Sequence, residues 1–274
     1  MSFDRRTTPA NDRVVADWLA DRFPDRRPVR PEPRRITRPV VDLALEPGGP
    51  RTRQLLYGTC FEVLERRDGQ AFGLARGAVY VGWLDEAALG DWPAEVADPC
   101  WVASRQTHAY AAPDLKSPEQ AALSHLSRLE GGATEGAFTR TELGWVPTSH
   151  LGPPGGTDPV AEALRLLGTP YLWGGNSCWG IDCSGLVQSA LMACGIDCPG
   201  DSDLQRAAFL EEGREGPFEP GELLFWPGHV AMAMDAERMI HANAHAMAVT
   251  IEPIVEARAR IEAKDAFLGR GRPD

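Results

Sequence analysis

The chain has 274 residues, 43% hydrophobic and 24% charged, with 28 basic and 39 acidic residues for a formal charge of −11. That length suits two or three domains, and the acidic balance argues against a nucleic-acid partner. No apolar run approaches the roughly 18 residues of a membrane span, so no membrane partner is expected.

Residues 1–38 read as an extension. Asp12 to Phe23 has the spacing of one short amphipathic helix ended by Pro24, and the Pro/Arg-rich run to Pro39 reads as extended linker. The segment lacks the uninterrupted apolar stretch of about 7–15 residues that a secretory signal needs. Its acids (Asp4, Asp12, Asp17, Asp21, Asp25) are foreign to a transit peptide. A cytoplasmic location is expected.

From 39 to 95 the texture changes to short β-prone runs, QLLYGTCFEVLER, AFGLA and AVYVGWLD. Alternation in CFEVLE and the turn signal Asp68-Gly69 predict a small β-barrel. A second unit, 96–152, opens with CWVAS and closes on ELGWVPTSHL, which echoes YVGWLDEAAL, so a tandem of two barrels is expected. Inside it, SPEQAALSHLSRLEGG predicts a helical insertion started by Ser117-Pro118 and stopped by Gly131-Gly132.

LGPPGGTDP reads as a hinge leading into a third unit, 153–274. There, Val160, Ala163, Leu164 and Leu167 recur at helical spacing. A turn-rich stretch, GTPYLWGGNSCWGIDC, runs into a second helix, SGLVQSALMAC. ELLFW, HVAMAMD, RMIHANA and AVTIEPI follow as strands, so the fold class is α+β, a helix packed on an antiparallel sheet.

Cys183 stands at the start of that second helix, where the positive end of the helix dipole favours thiolate, the form that attacks carbonyls. His229 and His241 follow on separate strands, in the order of nucleophile, base and orienter. One histidine in an apolar strand is usually a satisfied core residue. Two of them after a helix-start thiol leave catalysis and the core role evenly balanced on the residues alone. His108, His125, His150 and His245 lack such settings and read as surface or structural. The spacings of Cys178, Cys183, Cys194 and Cys198 fit no common zinc pattern, so neither a metal nor an organic cofactor is expected. Cys178, Cys194 and Cys198 read as small buried apolar residues. Trp173 and Trp179 read equally as a groove wall or as buried packing.

With GTPYLWGG, DCSGLVQ, PGHVAM and IHA arriving in order over about residues 157–270, the chain resembles the NlpC-type cell-wall peptidases, a papain-like group of cysteine hydrolases. Its two β units resemble the bacterial SH3-like domains of the subgroup that cleaves free murein peptides. The resemblance implies a γ-D-glutamyl-L-diamino acid endopeptidase of murein recycling, acting on L-Ala-γ-D-Glu-diamino acid peptides with an unblocked N-terminus. It makes Cys183 the nucleophile, His229 the base, His241 the third member and the Tyr171 hydroxyl an oxyanion donor. It has Asp182 bind the substrate's terminal ammonium, Ser184 and Ser202 hydrogen-bond the peptide, and Tyr80 and Glu46 of the first barrel close the pocket around the N-terminal alanine. The family often has an arginine where Gly200 stands in Pro199-Gly200-Asp201-Ser202, which leaves open the substrate length and the choice of diaminopimelate or lysine. Asp201, Asp203 and Gln205 read as helix-capping and surface groups. Two other readings stand beside this one: a catalytically silent module docking on wall polymer or a partner, and an antibacterial peptidoglycan hydrolase. The intact thiol and histidines argue against the silent module.

Overall fold

The structure is a computed structural model describing residues 3–77, 79–93, 99–153 and 155–273. Two compact units divide after Pro153.

Over its described residues the first unit is built on two seven-stranded antiparallel sheets. One runs in the spatial order Arg51–Leu56, Val40–Ala44, Tyr80–Asp85, Gln70–Ala75, Cys60–Arg67, Glu32–Ile36, Leu89–Asp91. The other runs Glu119–Ser124, Gln106–Tyr110, Gly144–Pro147, Phe138–Thr141, Arg128–Glu135, Pro99–Val102, Leu151–Gly152. Numbered by their order in the chain, the strands of both sheets follow one sequence. Trp83 and Trp145 sit on equivalent strands, opposite Ala44 and Tyr110. These are two SH3-like barrels of one topology. The expected boundary between them, at residues 95 and 96, lies outside the described residues.

Three expectations about this unit need correction. Asp12 to Phe23 is not an amphipathic helix: Val14–Ala16 is a strand, parallel to Arg27–Val29, and only Asp17–Arg22 turns, as a 3-10 helix. The reason is burial of three consecutive residues, Val14, Val15 and Ala16, two of them β-branched, where a helix would turn at least one to solvent. Val14 and Ala16 pack with Leu64, Phe72, Val81 and Trp83, so the segment belongs to the first barrel's core.

Nor is the Pro/Arg-rich stretch a linker. Glu32–Ile36 pairs with Cys60–Arg67 on one side and Leu89–Asp91 on the other. Its charges look solvated in sequence but are matched in space: Arg34 bonds Asp91, and Arg35 bonds Glu130 and Glu142.

The helical insertion at 117–132 is absent. Its residues form the strand Glu119–Ser124 and the start of Arg128–Glu135, joined by a turn with Leu126 at positive φ. Glu, Ala and Leu favour a helix locally, but Leu123 and Leu129 are buried with Val102, Ala109 and Val146, and that tertiary burial overrides propensity. Gly131-Gly132, which reads as a helix stop, marks a bulge in the pairing with Phe138–Thr141.

Among its described residues the second unit has four α-helices, α1 (Pro159–Leu164), α2 (Cys183–Ala193), α3 (Ser202–Phe209) and α4 (Ile254–Glu262). They accompany an antiparallel sheet in the order Ala248–Pro253, Arg238–Asn243, His229–Ala233, Leu223–Trp226, Gly269–Gly271. Leu186, Val187, Ala190 and Leu191 of α2 pack against Val230, Met232, Ile240 and Ala242. Each buried Leu, Val, Ile or Met among them contributes about 1.5–3 kcal/mol, so the helix that begins at Cys183 is fixed on the sheet that carries both histidines. Ile254 and Ala257 of α4 join Leu224, Trp226 and Met239 in a second cluster.

Gly185, in the first turn of α2, is required by space. A Cβ there would stand 2.4 Å from the Gly175 carbonyl oxygen and 2.9 Å from Asn176 Oδ1. Gly185→Ala is therefore expected to destabilise the protein by about 1–3 kcal/mol, despite a helix-propensity gain of up to about 1 kcal/mol. Denaturant unfolding checks this; a stabilised variant would contradict the close packing of the 174–176 loop on α2.

Candidate active site

Asp182 caps α2. Its Oδ1 accepts from the Gly185 N–H at 2.6 Å and the Ser184 hydroxyl at 3.1 Å, and its Oδ2 accepts from the Gly174 N–H at 2.9 Å. One carboxylate thus starts the helix and ties the glycine loop to it, which fixes Cys183 at the first helical position. The Cys183 sulfur lies 4.0 Å from the carbonyl oxygen of Gly228, the residue before His229. Gly228, at positive φ, closes the tight turn between the strands that end at Trp226 and begin at His229, which pair with each other.

Nε2 of His229 lies 2.9 Å from Nδ1 of His241, on the next strand of the sheet. With Nε2 so engaged, Nδ1 is the nitrogen His229 has left for the thiol. His241 is 1% exposed. Burial pushes His229 well down from the ordinary histidine range, and repulsion from His241 adds to it. His241 is lowered by burial too, against an opposing hydrogen bond with Glu252. Burial thus disfavours a second proton on either ring unless an anion, such as a thiolate, stands beside it to pair with the charge. The indole of Trp226, 2% exposed, lies 5.8 Å from the His229 ring.

Tyr171 bridges Ile181 and donates its N–H to the Met247 carbonyl at 2.9 Å. Burial raises its phenol above the usual tyrosine range, and the negative charge of Cys183 and Asp182 raises it further. The hydroxyl thus stays protonated and able to donate. A buried thiol at a helix start and two histidines in series on adjoining strands are the group types that nucleophilic hydrolysis by cysteine uses.

Residues 168–261 match the NlpC/P60 family, and residues 44–89 match the bacterial dipeptidyl-peptidase SH3 domain. The chain carries an NlpC/P60 domain, of a family of cysteine peptidases, behind an SH3-like domain of that bacterial type. It is similar to dipeptidyl-peptidase 6 of Lysinibacillus sphaericus, 35% identical over 97 residues that cover 35% of this chain and 36% of the relative. It is also similar to the γ-D-glutamyl-L-lysine dipeptidyl-peptidase of Bacillus cereus, 30% identical over 128 residues covering 44% of this chain and 36% of the relative. The chain thus spans about a third of the length of these curated relatives. A crystal structure of an NlpC/P60 family protein from Bacillus cereus superposes with a TM-score of 0.76 at 22% identity, over 88% of this chain and 99% of that one, a likeness of fold.

Ser184 is buried against Asp182, and its carbonyl accepts from Gln205 Nε2 at 2.9 Å. Ser202 is half-buried at the first position of α3. Gln205 is not a surface group: it is fully buried and also donates to the Pro199 carbonyl at 2.9 Å. Its amide is drawn inward by these two backbone carbonyls, one in the first turn of α2 and one in the loop before α3. Trp173 and Trp179 are exposed, at 69% and 43%, which removes the buried-packing alternative. Cys178 and Cys198 lie in the core, whereas Cys194 is only half-buried.

In the first unit, Tyr80 is buried in the barrel core with the Arg53 guanidinium over its ring, and Glu46 is exposed, paired with Arg5 at 2.5 Å. Sequence reasoning passed over Glu252 and Arg260. Nε2 of His241 lies 3.0 Å from Glu252 Oε2, and Arg260 donates to that same oxygen. The signal was present: in the hairpin, Thr250 pairs with His241, and Glu252, two residues on, shares its face.

Proposed function

We propose that the protein is a cysteine endopeptidase that cleaves the bond between γ-D-glutamate and the diamino acid of murein peptides bearing an unblocked N-terminal L-alanine. The observation that carries this is the placement of Cys183 at a helix start against the His229 turn, with His241 behind. The names of the similar proteins support the choice of bond. In this reading the thiolate of Cys183 attacks the glutamyl carbonyl while His229 holds the thiol proton. The oxyanion is met by the Tyr171 hydroxyl and the Cys183 N–H. His229 gives its proton to the leaving amine, and a thioester to Cys183 forms. Water, deprotonated by His229, then adds to the thioester carbonyl and releases the dipeptide and the thiol.

Asp182 is assigned to the terminal ammonium, and Ser184 and Ser202 to the peptide. Asp182 already serves three donors, so the ammonium joins an occupied carboxylate. The parts given to Tyr80 and Glu46 and the recycling role rest on the resemblance alone, and a cytoplasmic location rests on the composition of residues 1–38 alone. Among the described residues no helix is long and apolar enough to cross a membrane.

Mass spectrometry of a digest containing both free-amino and N-acetylmuramyl-capped L-Ala-γ-D-Glu-diamino acid peptides tests the reading. Release of the diamino acid from the free-amino form alone is expected. Equal cleavage of both would remove the ammonium-binding assignments, and cleavage of neither would remove the substrate.

A further inference from the structure

The hydrogen-bonded series does not stop at His241. From the turn at Gly228 it runs through His229 and His241 to Glu252, near the end of the last hairpin strand, and on to Arg260 in the last turn of α4. The Glu252 side chain is 18% exposed and that of Arg260 33%, so neither is a freely solvated surface charge.

We propose that Glu252, braced by Arg260, is a positioning residue that fixes the tautomers of both histidines and leaves Nδ1 of His229 as the unprotonated nitrogen offered to Cys183. The inference rests on the catalytic reading of Cys183 and His229 given above. An ionised carboxylate only accepts hydrogen bonds, so Nε2 of His241 must carry the proton it shares with Glu252. In a neutral ring that leaves Nδ1 of His241 bare, and it accepts from Nε2–H of His229. Neutral His229 then has a bare Nδ1, the state a base requires.

Without the carboxylate the two rings could order the other way. A proton on His241 Nδ1, donated to His229 Nε2, would place the remaining proton of His229 on Nδ1 and disable it. Glu252 also supplies the negative charge that stabilises the His229 imidazolium formed when the thiol ionises. Hydrogen bonds from Arg260 and His241 hold the Glu252 carboxyl below its usual range even though burial works against it. The charged or titratable groups around the pair are Cys183, Tyr171 and Asp182 at the thiol end and Glu252 and Arg260 at the other. Thr250, on the same face as Glu252, accepts from Asn243 at 2.8 Å.

The test compares full-length wild type, Glu252→Gln and Arg260→Gln by the pH dependence of Cys183 alkylation with iodoacetamide, resolved by site, alongside peptide cleavage. Glu252→Gln is expected to lower kcat/KM about 10- to 100-fold with little change in KM. It should also move the acidic limb of the alkylation profile up by about one pH unit, because the imidazolium partner of the thiolate has lost a negative neighbour. Arg260→Gln, which removes a positive neighbour, should move that limb down. Lost activity with an unmoved limb would show Glu252 to be a structural brace only and overturn the proposal, as would unchanged activity. If Glu252→Gln does not fold, the Arg260→Gln profile decides alone: a downward shift supports the assignment and an unmoved limb overturns it. Alkylation needs no substrate, so a wild type that cleaves no murein peptide yet shows these shifts would remove the substrate and leave this inference standing.

Discussion

Replacing Cys183 by alanine is expected to lower peptide cleavage by about 10⁴-fold or more while leaving the protein folded. The size of the loss follows from the chemistry: without the sulfur there is no thioester, and water alone must attack the amide. The fold should tolerate the change because Asp182 caps α2 through the Gly185 backbone and the Ser184 hydroxyl, neither of which involves the thiol. Losing one buried sulfur from a core that includes Leu186 and Val187 costs about 1 kcal/mol. Cleavage rate and urea unfolding of the same preparation check both halves. A variant that keeps even a tenth of its activity would place the nucleophile elsewhere.

His229→Ala is expected to lower kcat/KM by about 10³–10⁴-fold, since one ring both takes the thiol proton and returns it to the leaving amine. The decisive comparison is with Cys183→Ala/His229→Ala. Thiol and imidazole act as one unit, so the double variant should be no slower than Cys183→Ala alone. Losses that multiplied would mean that His229 acts on the substrate independently of the thiol. His229 opens its strand beside the Gly228 turn, where its backbone pairing with Trp226 survives truncation of the side chain.

The second unit was largely legible in sequence because its signals are local and mutually consistent. Glycines before Cys183 mark a turn, the residues after it favour a helix, and the two histidines sit in short apolar runs whose period is that of strands. The first unit was less so. The 117–132 segment has helical composition, yet Leu123 and Leu129 find their burial on a barrel wall, and only the assembled sheet decides that. The arginines at 34 and 35 look like linker charges until Asp91, Glu130 and Glu142 stand opposite them. Gln205 was misread as a surface group and Glu252 was passed over for one reason: a polar residue's partner depends on register and on which groups the folded chain brings beside it. Trp173 shows the converse, since its chemistry permits either burial or exposure and its sequence setting does not choose.

The central claim is that the sulfur of Cys183 ionises at neutral pH against the His229 imidazole. Titrating the ultraviolet absorbance of thiolate in wild type and in Cys183→Ala, and taking the difference, isolates that one group. A thiolate signal already present at about pH 6, far below the roughly 8.5 at which a free cysteine ionises, and abolished in His229→Ala, is the predicted result. A difference that rises only near or above that ordinary value, or one indifferent to His229, would contradict it.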